Sequence, residues 1–163
     1  MSDQNNSVFE QRVASLRELL DQNDLDALIV SHDDEYLSYE LNEDEERLKY
    51  ITGFSGSAGY AVITSNDLKI NEENIEINQD NTENGIVVDR DCAVFVDGRY
   101  VVQVKEQIDS DIFQDFDLAK VKPAKWISSV MPKNSTVGID INCVSYKEYI
   151  SIKNELGMNN INL

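Results

Sequence analysis

Ala93-Val94-Phe95-Val96 leads into Asp97-Gly98-Arg99-Tyr100 and then into Val101-Val102-Gln103-Val104. A short, uninterrupted apolar run bounded by polar residues reads as a buried strand, and the spacing that follows predicts a helix over 99–108. Asp97 stands where a helix cap belongs, able to accept from the N–H of Arg99 or Tyr100. A strand that feeds a helix through a short polar loop is the repeating unit of α/β domains. Open α/β sheets present ligand sites at the carboxyl ends of their strands, where this loop falls. Arg99 is the odd residue, because a cation in a first helical turn opposes the macrodipole. Something must offset it: an internal carboxylate, or else a ligand or partner chain.

Working outward, the same alternation continues. Ser7 and Glu10 form a capping-box pattern, after which Phe9, Val13, Leu16 and Leu20 make one apolar stripe of a first helix. Residues 26–30 read as a buried strand and 43–51 as a helix capped by Asn42, its acidic residues in the first turn. Strands are expected over 57–64, 93–96, 112–116 and 136–141, and Pro123 stands near the start of a helix reaching 131. Ser145 and Glu148 repeat the capping-box pattern for a last helix, with Gly157 as its C-terminal cap. The domain is expected to span 1–157. Residues 66–90, rich in Asn, Asp and Glu, read as an insertion, either a hairpin around 71–74 or a partly mobile loop. Residues 158–163 read as the start of a following segment of a longer protein.

Bulk properties narrow the function classes. With 163 residues, 41% of them hydrophobic, the chain has the material for one core. The net charge of −17 argues against nucleic acid and anionic membrane surfaces, which need clustered cations. The polar, acidic N-terminus is unlike a secretory signal, and no apolar run approaches the ~20 residues that span a bilayer. Cys92 and Cys143 lack metal-ligand spacing and read as small buried hydrophobes, in keeping with a reducing, cytoplasmic location.

Three stretches invite a chemical reading. Gly53, Gly56 and Gly59 recur every third residue, but after a helix and before a strand. A phosphate-binding loop runs the other way, so that the following helix points its N-terminus at the anion. The glycines therefore read as a tight turn and a close packing contact. His32, the single histidine, has no second ligand histidine and no GxSxG elbow around Ser55 or Ser57. It reads as an exposed loop residue, and the acidic run 43–46 as a solvated helix start rather than a calcium loop. No catalytic constellation stands out.

Two of these stretches together resemble a known family. Arg47-Leu48-Lys49-Tyr50-Ile51-Thr52-Gly53-Phe54-Ser55-Gly56-Ser57-Ala58-Gly59, followed by residues 93–104 with Asp97-Gly98-Arg99-Tyr100, looks like the creatinase/prolidase-type N-terminal domain of Xaa-Pro aminopeptidases. The opening helix, the strand at 26–30 and Asp34-Glu35-Tyr36 fall in the same order. The resemblance implies a three-layer α/β/α fold with a mixed, ribonuclease H-like sheet of about five or six strands. It implies a parent enzyme with two metal ions, manganese or zinc, in a later domain, acting on peptides with a penultimate proline. No cofactor is expected in this chain itself. The implied roles for the present domain are dimer formation and shaping of the substrate entrance, with the rest of its own polypeptide as partner. Arg99, with Asp97, Tyr100 and Tyr36, is the candidate for that entrance or interface. Ser38-Tyr39-Glu40 departs from the family order, and 66–90 exceeds the short turn expected there. A free-standing acidic interaction module of the same fold is the alternative reading.

Overall fold

The computed structural model describes residues 3–38, 40–66, 86 and 88–163. Most of the 66–90 stretch, including the hairpin expected at 71–74, lies outside the described residues. So does Tyr39.

One five-stranded mixed sheet organises the chain. Its strands are β1 (Ala27–Ser31), β2 (Gly59–Thr64), β3 (Cys92–Val96), β4 (Phe113–Asp117) and β5 (Val137–Ile139), in the order β4-β3-β2-β1-β5. β1, β2 and β3 form an antiparallel meander, while β5 runs parallel to β1 and β4 parallel to β3. Thr136 and Asn162 add a parallel bridge outside β5, through Asn162 N–H to Ser135 O (2.8 Å) and Val137 N–H to Asn162 O (2.9 Å).

Strand alternation sorts the apolar side chains into two cores. On one face Cys92, Val94 and Val96 pack with Ala61 and Ile63 beneath helices α1 (Asp3–Gln22), α2 (Arg47–Thr52) and α3 (Gln103–Gln107). On the other, Ala93 and Phe95 pack with Ile29 and Val62 beneath α4 (Pro123–Val130) and α5 (Tyr146–Met158). Trp126 of α4 is fully buried there, its ring edge-on to Phe95 with centroids 6.2 Å apart. β3 lies between β4 and β2 with a helical layer on each face, so it is apolar along its whole length and buried throughout. This is the three-layer α/β/α arrangement that the family resemblance implied.

Four local expectations are corrected. α1 begins at Asp3, so Ser7 and Glu10 lie inside the helix rather than at its cap; once nucleated, a helix gains a hydrogen bond for each added residue, and these polar residues do not stop it. The helix expected over 43–51 begins only at Arg47. Asn42 instead closes a turn, its carbonyl accepting from Glu45 N–H (2.9 Å) and its side-chain amide donating to the Glu45 carboxylate (2.8 Å). The helix expected over 99–108 is split into a 3-10 turn (Gly98–Tyr100) and the short α3. Gly157 is inside α5, which runs on to Met158, and the left-handed residue beyond the helix is Asn160, with φ of 57°.

Candidate functional site

The loops of interest leave one end of the sheet. Gly59 at the start of β2 pairs with Val96 at the end of β3, and Val96 pairs with Asp117 at the end of β4. The carboxyl end of β1 lies alongside, where His32 N–H donates to Gly59 O (3.0 Å). The glycine-rich turn 53–59 and the loop 97–100 therefore meet, although some forty residues separate them in sequence.

The turn is built from the bottom by shape. α2 stops at Gly53, whose φ of 84° is the left-handed conformation that favours glycine, and whose N–H still reaches Lys49 O (2.8 Å). Thr52, fully buried, donates from Oγ1 to Leu48 O (2.7 Å) and accepts from Phe54 N–H (3.1 Å), so its hydroxyl is satisfied. Phe54 is driven into the core, and the chain then climbs back to β2. A Cβ at Gly59 would stand 2.8 Å from Phe95 O, so a side chain there would push β2 away from β3.

Polar side chains then tie this turn to the segment after β3. Ser55 N–H donates to Gln107 Oε1 (2.9 Å), while Gln107 Nε2 (2.9 Å) and Gln103 Nε2 (3.3 Å) approach Ser55 Oγ. The Ser57 and Tyr100 hydroxyls are 2.7 Å apart. This hydrogen bond holds the Tyr100 phenol below the usual tyrosine range. The Tyr100 ring also stands edge-on to Phe54, with centroids 5.6 Å apart at 75°, a favoured aromatic geometry.

Asp97 caps the 3-10 turn as expected, its Oδ1 accepting from Arg99 N–H (3.0 Å). The same oxygen accepts from Arg99 Nε (2.8 Å). Together these bonds, the backbone one foremost, hold the Asp97 carboxyl below the usual carboxylate range. An internal carboxylate thus sits beside the Arg99 cation, two residues away. The guanidinium also lies 5.3 Å from the Tyr100 ring centroid, within cation–π reach. With its side chain 68% exposed, Arg99 still presents a charge to solvent at this end of the sheet. Such an exposed pair fixes geometry more than it stabilises.

Tyr36 lies on a separate loop after β1 and is 75% exposed. The buried Asp34 carboxylate shapes that loop by accepting from Ser38 N–H (2.8 Å) and Tyr36 N–H (3.0 Å). Those donors, Ser38 first, hold its carboxyl below the ordinary value. His32 is half-buried rather than exposed. Ser55 is engaged by the two glutamines and Ser57 by Tyr100, so the serines and the histidine do not form a nucleophile–base pair.

The sequence reading did not single out the clamp formed by Gln103 and Gln107. Their i, i+4 spacing puts both amides on one helix face, which was a usable signal. It also missed Tyr60, whose hydroxyl donates to the Glu148 carboxylate. Grooves of about 750 Å³ between α1 and α2 and about 400 Å³ between α4 and α5 lie elsewhere, and none of Asp97, Arg99, Tyr100 or Tyr36 lines them.

The mixed sheet with its two helical layers, and the interlocked loops at one end, define an α/β domain. The fold matches an X-prolyl aminopeptidase from Caenorhabditis elegans, described as a cytosolic enzyme with a di-nuclear active site. That match has a TM-score of 0.72 and 20% identity, over 94% of this chain and 23% of that one. It also matches the N-terminal creatinase/prolidase-like domain of a Corynebacterium diphtheriae metallopeptidase, with a TM-score of 0.60 and 20% identity, over 95% of this chain and 93% of that one. The chain belongs to the creatinase/prolidase N-terminal domain family, whose model matches residues 12–82 and 77–163. Among its relatives, the Drosophila melanogaster Xaa-Pro aminopeptidase ApepP is 30% identical over 154 residues, covering 90% of this chain and 21% of that protein. The Dictyostelium discoideum Xaa-Pro aminopeptidase 1 is 29% identical over 147 residues, covering 89% of this chain and 20% of that protein. The chain thus spans about a fifth of the length of these relatives.

Among the described residues, no group of three or more His, Cys, Asp or Glu side chains is placed to hold a metal ion. No helix among the described residues is long and apolar enough to cross a membrane.

Proposed function

We propose that this chain is the N-terminal, non-catalytic domain of a metal-dependent Xaa-Pro aminopeptidase, whose hydrolytic chemistry belongs to residues outside these 163. The observation that carries the reading is the union of the two family motifs, joined through Ser57 and Tyr100, into one loop end where the Arg99 side chain is 68% exposed. A domain with this geometry contributes shape and charge to a neighbouring site rather than a nucleophile or a metal ligand. In the parent enzyme it takes part in dimer formation and forms part of the substrate entrance. Arg99 sits at the rim, with Asp97 and Tyr100 holding it, and Tyr36 lies on the adjoining loop. The implied substrates are peptides with a penultimate proline, the implied metals two manganese or zinc ions in the later domain, and the implied compartment the cytoplasm.

The test is Arg99→Ala in the full-length protein. The expected result is a folded domain with reduced kcat/KM on Xaa-Pro peptides or a weaker dimer. Unchanged kinetics and an unchanged dimer would remove Arg99 from the entrance. Turnover of such peptides by the 163-residue chain alone, with Mn²⁺ added, would overturn the non-catalytic assignment.

A further inference from the structure

Charge is divided very unevenly along this chain. Residues 1–117 carry eight cationic side chains against twenty-eight carboxylates, while residues 118–163 carry six lysines against three carboxylates. The second stretch supplies the α4/α5 layer, so among the described residues this layer is locally basic within a strongly acidic chain. Lys120, Lys122, Lys125 and Lys147 are exposed on it. Among the described residues, none of these four ammonium groups forms an ion pair; the pairs present involve Arg17, Lys49, Arg90 and Arg99.

This face is not flat. Between α4 and α5 lies the groove of about 400 Å³, a size typical of binding clefts. Leu118, Ala124 and Ile152 contribute apolar surface, and Lys122 and Lys147 line it from the two sides. Two carboxylates also line it, Glu148 and Glu155. Glu148 is already engaged by the Tyr60 hydroxyl. The groove is therefore an apolar slot with a lysine lacking an ion pair on each flank, and with the Glu148 and Glu155 carboxylates on its α5 side.

We propose that the α4/α5 groove docks an acidic protein segment, with an aliphatic side chain laid on the Leu118–Ile152 floor and carboxylates paired with Lys122 and Lys147. Charge complementarity selects this occupant: four exposed lysines without an ion pair lie on this layer, two of them at the groove, beside apolar surface that a carboxylate-flanked aliphatic residue would cover. A nucleic acid is a poorer fit. The stretch 100–163 contains no arginine, the residue best shaped for bidentate phosphate contacts, and the remaining surface would repel an extended polyanion. The proposal is independent of the aminopeptidase reading, since it concerns a different face.

The test uses the 163-residue chain and a fluorescein-labelled peptide with one leucine flanked by glutamates, followed by anisotropy and by amide shifts in NMR. The expected result is saturable binding, weakened by salt, with shifts confined to α4, α5 and the start of β2. The Lys122→Glu/Lys147→Glu double variant should weaken it by roughly tenfold or more, and Lys122→Gln/Lys147→Gln by less. Both lysines are exposed, and circular dichroism checks that the fold is kept. Absence of saturable binding, equal affinity in the charge-reversed protein, or tighter binding of a single-stranded oligonucleotide would each overturn the proposal.

Discussion

The hydroxyl groups of Ser57 and Tyr100 stand 2.7 Å apart and join the glycine-rich turn to the loop that leaves β3. Tyr100→Phe deletes that hydrogen bond but keeps the edge-to-face contact with Phe54. It should lower Tm slightly and loosen the 97–100 loop, read as faster amide exchange at Arg99 and Tyr100. Tyr100→Ala removes both contacts and should cost more. Equal Tm values for the two variants would show that the ring contact contributes nothing.

Gly59 and Gly98 should respond differently to the same change. A methyl at Gly59 meets Phe95 O at 2.8 Å and Leu48 Cδ2 at 3.3 Å, whereas at Gly98 it meets nothing within 4 Å. Gly59→Ala is expected to destabilise by about 1–3 kcal/mol, the range for overpacking a tight interior. Gly98→Ala should stay close to wild type. Urea unfolding of the two variants measures the difference directly.

Gly157 separates two views of the last helix. If it were a left-handed cap, alanine would be strained there. It instead lies inside α5 in open space, so Gly157→Ala should stabilise by about 0.5–1 kcal/mol through the lower entropy of the unfolded chain. A drop in Tm would falsify the helical placement.

Tyr60 gives the domain an alkaline weakness. Burial, and then the neighbouring Glu148 carboxylate, push its phenol well above the ordinary value of 10.0. A group that holds its proton more tightly when folded contributes stability that is complete below the unfolded pKa and is lost as pH rises beyond it. Stability should therefore fall as pH climbs above 10, by up to about 1.4 kcal/mol per pH unit from this one group. Tyr60→Phe should flatten that slope relative to wild type in chemical unfolding at pH 9 to 11. An identical slope would assign the loss to other groups.

Much of the fold was legible because strands and helices differ in period. The strand centred on residues 93–96 could be read from its apolar run alone, and the three-layer arrangement followed from the resemblance it helped to carry. Helix ends were less legible, because the same residues serve caps and turns. Asn42 looks like a cap, yet its side chain closes a turn with Glu45. Ser145 is a true cap, accepting from Glu148 N–H at 3.3 Å, but the Glu148 carboxylate turns to Tyr60 instead of back to the helix start. That choice depends on a residue 88 positions away, which no local pattern contains. At the candidate site, the cap by Asp97 was predictable from adjacent residues. The meeting of Ser57 with Tyr100, and of Ser55 with Gln107, needed the β2–β3 register to bring distant turns together.

The hydrogen bond from Thr136 N–H to Asp26 Oδ2 closes 110 residues of chain, whereas the β1–β2–β3 meander is built from successive strands. Distant closures cost more chain entropy and come later in folding. On a ribosome, the meander and its first helical layer are complete while α4, β5 and α5 are still being synthesised. That half-built sheet bares Val62, Ala93 and Phe95 on one face and an unpaired β1 edge, the two features through which nascent chains aggregate. The late segment is thus a lid on a vulnerable intermediate. Substitutions in α4 or α5 should lower the yield of soluble protein more than their equilibrium cost in the finished domain would suggest.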